Sequence, residues 1–476
     1  MMSPDLFSAF AGLIGPSHVL TGADMAPYAF DWRQRAESHP LVVLRPGSTA
    51  EVAAIVRLCA ERRVPIVPQG GNTGLVGGTI AEKGTGAVLL NLGRLNRIRM
   101  LDTADYTMTA EAGCVLADIQ AAAQAADRYF PLSLGAEGTC MLGGNLSSNA
   151  GGILTLRYGN ARDLVLGLEV VLPDGRVWNG LRTLRKDNSG YDLKHLFLGA
   201  EGTLGIITAA SLKLYPRPRQ IETALIAVPS PAAAITLLGL ARTGTGDSLS
   251  AFELMPRFTF DGSREILGRD QDPLSAPSPW YVLLEASSGM AGPLLRGQVE
   301  AVLETALEQG VVTDAIFADS MEQQRKLWLI RESLPEIGRK IGGAVHTDVS
   351  VPVSRIPDFL SATIEAVTTY MPGIRPYPFG HAGDGNIHFN IGRPAGMEGA
   401  EYLTHAHAIT DLVHAQALAH GGSISAEHGI GNHKAAELPR IKDPVELDLM
   451  RKMKAMLDPD GIMNPGKVLV SRSETA

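Results

Sequence analysis

Cysteine is scarce. The 476-residue chain has three, at Cys59, Cys114 and Cys140, far apart, odd in number and without a C-x-x-C spacing. That excludes a disulfide framework and an iron–sulfur cluster. Basic charge is also short: 42 Lys+Arg stand against 50 Asp+Glu, a formal net charge of −8. With no Lys/Arg-rich run, a nucleic-acid binder is excluded. No apolar run reaches the length of about 18 residues that a membrane span needs. The uncharged run Leu6–Ala23 is broken by Gly12, Gly15, Pro16, Ser17 and His18, and it lacks the basic start of a secretory signal. These absences predict a cytoplasmic chain with no transmembrane segment.

What is present is core material and glycine. Hydrophobic residues make up 45% of the chain, and at about 150 residues per domain the length suggests roughly two to four domains. The 52 glycines and 29 prolines are concentrated in a few loops. The first 37 residues read as a helical leader with Trp32 and Arg33 near its end. Leu41–Leu44 reads as a strand, then Ser48 and Glu51 have the spacing of a capping box. Val52, Ile55, Val56 and Cys59 follow at helical spacing, and Val64–Val67 is a second strand. Further strands are expected at Ala87–Leu92, Tyr106–Ala110, Val165–Leu172 and Gly205–Tyr215, with a helix over Cys114–Ala125. After Pro216-Arg217-Pro218 the texture changes. Strand-like Ile221–Val228 and Trp280–Ala286 alternate with helices at Pro231–Leu240, capped by Ser230, and Gly297–Gln309. The expected organisation is a leader (1–37), a first domain (38–218), a second (219–420) and a tail (421–476) that packs back on the first. Gly135–Thr139 and Gly199–Thr203 echo each other as G-A-E-G-T, which predicts two similar tight turns.

Three constellations bear chemistry. The loop Gln69–Gly78 holds five glycines, at 70, 71, 74, 77 and 78. Glycine lets backbone N–H groups converge on an anion such as a diphosphate. The spacing is not that of a G-x-G-x-x-G fingerprint, and alone the loop suits a purely structural turn equally well. A second glycine cluster, Gly135–Gly152, carries almost no charge, and a long cofactor would give its backbone groups partners. A P-loop look-alike at Gly461–Lys467 fails, because Val468 stands where a magnesium-holding Ser/Thr belongs.

Together, the loop at 70–78, Asn149-Ala150-Gly151-Gly152, Tyr158-Gly159, Gly190-Tyr191-Asp192-Leu193 and Glu201-Gly202-Thr203-Leu204-Gly205 resemble the FAD-binding domain of the vanillyl-alcohol-oxidase superfamily. Within it the match is to the D-2-hydroxy-acid dehydrogenase branch, the D-lactate and D-2-hydroxyglutarate dehydrogenases, and it runs from about residue 38 to the C-terminus. The resemblance implies an α+β chain: a two-subdomain PCMH-type FAD-binding domain, then a substrate-binding cap domain with an antiparallel sheet and flanking helices. It implies FAD held by Pro68, Gly70, Gly71, Asn72, Thr73, Gly74, Leu75 and Gly78. Leu134, Gly135, Thr139, Gly143, Gly144, Ser148, Asn149, Gly151 and Gly152 form a second set of contacts, and Glu201, Gly202, Gly205, Ile207 and Asn464 a third. Residues 69–78 hold no His or Cys, so the FAD is expected to be non-covalent.

The second constellation is Gly380–Asn390. Asp384-Gly385 is a hairpin signal, and a two-residue turn there would set His381 opposite His388, with Asn390 on the same face. Two neighbouring imidazoles suit a divalent metal, although a structural pair reads equally well without further partners. Glu427 would complete a three-ligand site, and His428 beside it suits the removal of a hydroxyl proton. The resemblance agrees, making His381, His388 and Glu427 metal ligands, His428 the base and Asn390 a substrate contact. Zinc is expected first, with manganese, cobalt or iron as alternatives. His18, His39, His195, His405, His407, His414, His420 and His433 show no ligand pattern.

The third is Arg331 in Trp328–Glu332. By itself it reads as an arginine reaching solvent from an amphipathic helix, whereas the resemblance sets it on a substrate carboxylate. His346 stands where the family usually carries Lys, and Pro335 where the hydroxyglutarate enzymes carry Thr; His346 is expected to add a polar substrate contact. The implied activity is oxidation of a D-2-hydroxy acid (D-2-hydroxyglutarate, D-lactate or D-malate) to the 2-oxo acid by hydride transfer to flavin N5. Electrons would then pass to an external acceptor: an electron-transfer flavoprotein, a quinone or a cytochrome. The competing readings are an oxidase using O₂, a zinc hydrolase with structural glycine loops, and a non-catalytic flavin-binding or metal-storing protein. Monomer and homodimer both stay open.

Overall fold

The computed structural model of the chain describes residues 3–32, 34, 36–268 and 272–470; Arg33, expected near the end of the leader, lies outside them. The chain divides into two compact units. Unit 1 comprises residues 1–150, 160–216 and 427–476, and unit 2 comprises 151–159 and 217–426.

Unit 1 holds two main sheets. In the first, Val43–Leu44, Val88–Asn91 and Ile66–Gln69 run parallel, and Val19–Leu20 adds antiparallel at one edge. The leader is therefore not helical throughout. Pro4–Ile14 is a helix, but the chain then enters the sheet, because Val19 beside the helix residues Phe10 and Ile14 completes an apolar cluster. The helix Thr49–Arg62 starts where Ser48 Oγ accepts the Glu51 N–H. The reciprocal half of the capping box shifts by one residue: Glu51 Oε2 accepts from Gly47 N at 2.7 Å. Val52, Ile55, Val56 and Cys59 are the buried stripe of this helix. The second sheet is antiparallel, in the order Ile98–Asp102, Thr107–Glu111, Ile206–Lys213, Val165–Val171, Val177–Gly180.

The residues from Glu427 onward belong to unit 1. Ile66 N donates to Ile462 O and Asn464 N to Ile66 O, both at 2.8 Å, so Ile462–Asn464 extends the edge of the first sheet. The two G-A-E-G-T turns share two bonds: Thr139 N to Ala136 O and Thr203 N to Ala200 O, each 2.9 Å, and the Thr hydroxyl to the same carbonyl, at 3.4 and 2.7 Å. They differ in backbone sign, since Gly199, Glu201 and Gly202 are left-handed while Gly135 and Gly138 are not.

Unit 2 is built on a five-stranded antiparallel sheet in the order Asp314–Phe317, Gln220–Val228, Trp280–Ser288, Leu249–Pro256, Gly380–His381. Alternate residues bury on opposite faces, as the two-residue strand period requires. Ala224, Ile226 and Val228 pack with the helices Pro231–Thr245 and Leu294–Glu308. Leu225 and Ala227 face Met255, Phe260, Leu283, Leu327 and Ile330 on the other side. A small sheet sets Ala344–His346 and Arg375–Pro376 on either side of Asn390–Gly392.

Candidate functional site

In unit 1 the glycine loops are pressed together. A Cβ on Gly71 would stand 2.1 Å from the Thr139 carbonyl oxygen, and one on Gly143 would stand 2.8 Å from Ala112 Cβ. Only glycine permits this approach. The other faces of the same loops are bare: nothing lies within 4 Å of a Cβ built on Gly74, Gly135, Gly138 or Gly144. Asn72 and Asn149 are left-handed, with φ of 55° and 51°. Asn464 is 1% exposed; its Nδ2 donates to Gly78 O at 3.0 Å and Glu201 O at 2.7 Å, and its Oδ1 is buried with no partner among the described residues. An appressed pair of loops with an open, side-chain-free face and an orphaned buried amide oxygen fits a dinucleotide cofactor.

Pro68 lies against the Gly202 turn, 2.5 Å from a Cβ built there, and Ile207 is buried in the antiparallel sheet. Ser148 Oγ donates to Gly144 O at 3.1 Å. The Glu201 carboxylate accepts the N–H groups of Ile430 (2.7 Å) and Gly431 (2.8 Å). Burial pushes its pKa up against those two donors. Its side chain therefore anchors the turn that follows Glu427 and His428, both half-buried in unit 1. Gly151 and Gly152, by contrast, group with unit 2.

In unit 2 the histidine turn forms with a different register from the one its sequence suggests. Phe379, not His381, bridges His388: Phe379 N donates to His388 O at 3.2 Å and His388 N to Phe379 O at 2.8 Å. The connection is longer than a two-residue turn. His381 O accepts from both Asp384 N and Gly385 N, and Asp384 Oδ1 accepts from Asn386 N at 3.1 Å. The partner of His388 shifts by two residues, from 381 to 379, so parity is kept, and the two imidazoles still meet, T-shaped with centroids 5.5 Å apart. Gly385 is required here, as its φ is 93° and a Cβ would stand 2.2 Å from Val351 O.

Around this pair the structure closes a ring of contacts. Arg331 is 7% exposed, which overturns the solvent-facing reading. Its Nε donates to Glu253 Oε2 at 2.5 Å, and its guanidinium lies 4.9 Å from the Phe379 ring centroid. Phe379 sits 5.5 Å from His388. Glu253 Oε1 is 2.6 Å from His381 Nδ1. Burial opposes the Glu253 charge, but His381 and Arg331 outweigh it and hold the carboxyl at about 2. His388 Nδ1 is 3.7 Å from Asp348 Oδ1, and Asn386 Nδ2 holds that carboxylate at 2.9 Å. Cross-strand pairing sets His346 against Asn390, Nδ1 to Oδ1 at 3.1 Å.

An ionised carboxylate next to His381 Nδ1 keeps a proton on that nitrogen, so Nε2 is the nitrogen that gives up its proton and turns its lone pair to a metal. The donor set of the two histidines thus fits a divalent cation. No local motif marks Glu253 or Asp348 in the sequence. The available signal was a lone acid inside the apolar strand Leu249–Pro256, and another, Asp348, just before Val349. Among the described residues, no helix is long and apolar enough to cross a membrane.

Comparison with known proteins gives two family matches: "FAD binding domain" over residues 40–180 and "FAD linked oxidases, C-terminal domain" over residues 217–468. Curated relatives include the mitochondrial D-2-hydroxyglutarate dehydrogenase of Rattus norvegicus, 38% identical over 99% of this chain and 86% of the relative. The D-2-hydroxyglutarate dehydrogenase of Xanthomonas citri pv. viticola is 38% identical over 94% and 93%, and that of Stutzerimonas stutzeri is 33% identical over 99% and 100%. Among solved structures, p-cresol methylhydroxylase superposes with a TM-score of 0.77 at 17% identity over 98% of this chain and 97% of that one, a likeness of fold.

Proposed function

This chain belongs to the FAD-linked oxidases, as an FAD-dependent oxidoreductase grouped with the D-2-hydroxyglutarate dehydrogenases, and from that premise we propose that it oxidises D-2-hydroxyglutarate to 2-oxoglutarate with the help of a divalent metal. The observation that carries the metal part is the His381–His388 pair, with His381 Nδ1 bonded to Glu253. The names of relatives at 33–38% identity over nearly the whole chain support the substrate.

FAD, held by the glycine loops of unit 1, supplies the hydride acceptor when bound. A divalent cation on His381, His388 and Glu427 supplies Lewis acidity toward the 2-hydroxyl when bound; zinc is the first candidate. Arg331 holds a substrate carboxylate, its own charge balanced by Glu253 so that the guanidinium is tolerated in a buried position. His428 takes the hydroxyl proton as the C2 hydrogen leaves. Asn390 and His346 add polar contacts, and their mutual bond keeps both side chains in one orientation. The departures at His346 and Pro335 fall in the pocket for the distal part of the substrate, where they alter the clamp on a second carboxylate and leave the C1 carboxylate and 2-hydroxyl site intact.

The three cysteines are separate and buried, without the spacing of an iron–sulfur cluster, and the electrons leave to an external acceptor: an electron-transfer flavoprotein, a quinone or a cytochrome. A cytoplasmic location is part of the same reading. The test is anaerobic bleaching of the yellow flavin by D- and L-2-hydroxy acids, with and without EDTA. D-2-hydroxyglutarate should bleach it rapidly, the L-isomer should not, and chelator should abolish the effect. Bleaching that is indifferent to both chirality and chelator would overturn the proposal.

A further inference from the structure

We propose that Glu253 is a positioning residue that sets both the metal-facing nitrogen of His381 and the seat of the Arg331 guanidinium. The inference deepens the functional reading above and rests on it for the roles of those two residues.

Glu253 sits in the strand Leu249–Pro256, fully buried, and strand register brings His381 directly opposite. A buried carboxylate is costly unless each oxygen is paired. Here each has one partner from a different element: Oε1 meets His381 Nδ1 on the neighbouring strand, and Oε2 accepts from Arg331 Nε on the helix Met321–Glu332. The two bonds constrain two different atoms of the chemistry. An acceptor at Nδ1 requires the proton there and presents Nε2 to a cation. An acceptor at Nε fixes the guanidinium plane, and the Phe379 face lies beside it, so the fork cannot rotate freely. The same helix is held one turn earlier by a second, half-buried acid, since Trp328 Nε1 donates to Glu285 Oε2 at 2.7 Å. That leaves Glu253 to orient the arginine rather than to seat the helix.

Glu253→Gln separates these roles from bulk and volume. A carboxamide has one acceptor oxygen and a donor nitrogen, so one of the two positions now filled by Oε1 and Oε2 would present N–H to a donor instead of an acceptor. Glu253→Asp keeps two acceptors but withdraws them. FAD-loaded, metal-stripped protein is titrated with Zn²⁺ against a chromophoric chelator, and kcat and KM are measured with D-2-hydroxyglutarate and an artificial dye. E253Q should lose about 10- to 100-fold in zinc affinity and show KM raised about tenfold or more, with flavin content unchanged and E253D intermediate.

Zinc affinity and KM that both stay within about twofold of wild type in E253Q would overturn the proposal. If E253Q does not accumulate as folded protein, NMR of the histidine ring nitrogens in metal-free wild type decides, with His381 assigned by its loss in H381A. A proton on Nδ1, alone or with one on Nε2, supports the proposal, and a proton on Nε2 alone overturns it. Wild type that binds no zinc would sink the metal reading and this proposal together. Wild-type binding that E253Q shares in full, with KM unmoved, would sink this proposal alone.

Discussion

Alanine at Gly71 and at Gly74, three residues apart in one loop, should fail in opposite ways. At Gly71 the new Cβ would stand 2.1 Å from Thr139 O, 3.0 Å from its carbonyl carbon and 3.1 Å from Cys140 Cα. Ordinary non-bonded separation is about 3.5 Å, so the two loops must part by roughly 1.4 Å. All three obstacles are backbone, so no side chain can swing aside. Overpacking of this kind costs about 1–3 kcal/mol, and a domain of this size shifts by about 2–4 °C per kcal/mol. Apo G71A should therefore melt several degrees below wild type. At Gly74 nothing lies within 4 Å and φ is not left-handed. Apo G74A should melt at or slightly above wild type, because alanine restricts the unfolded chain by about 0.4–1 kcal/mol. If that bare face receives FAD, however, the methyl occupies cofactor space, and FAD affinity should fall about tenfold or more, near 1.4 kcal/mol. The assays are apo-protein melting and titration with FAD followed by quenching of flavin fluorescence. G74A that binds FAD as wild type does would refute the assignment of the open face, and an apo G71A as stable as wild type would refute the close approach.

His381→Ala should abolish turnover while the purified protein stays yellow; undiminished turnover would remove the metal assignment. EDTA should silence wild type, and added Zn²⁺, Mn²⁺ or Co²⁺ should restore it, whereas activity untouched by exhaustive chelation would count against a metal. Glu285 tests the linkage between charge and stability. Burial pushes its pKa above the ordinary 4.5, and only the neutral donors Trp328, Thr223 and Ser250 oppose it. The folded state holds the proton more tightly than the unfolded one, so stability falls as pH rises from 4.5 through the raised value. Glu285→Gln removes this term, and its melting temperature should exceed that of wild type by a margin that widens over that interval. A margin that narrows with rising pH would contradict the burial argument.

Much of the fold is legible because local rules and tertiary packing agree. The helix at Pro231–Thr245 begins at Ser230, whose Oγ accepts from Ala233 N, and the strands Gln220–Val228 and Trp280–Ser288 are the apolar runs expected. Where two solutions are locally comparable, the sequence misleads. Asp384-Gly385 signals a two-residue turn, but Val351 O packed against Gly385, and His381 O accepting two N–H groups, select the longer connection. Glu201 carries a family motif, yet its carboxylate is drawn to the Ile430 and Gly431 amides more than 200 residues away, a pairing no local pattern encodes.

By itself the sequence determined the glycine-dense loops, the two-histidine turn and Arg331, because close backbone approach, paired imidazoles and a carboxylate fork each demand particular residue types at short spacing. Only the tertiary structure decided that Arg331 is buried, that Glu253 stands between it and His381, and that His388 bridges Phe379. Those facts depend on which strands become neighbours, and a lone acid in an apolar strand does not reveal its partners until the sheet has formed around it.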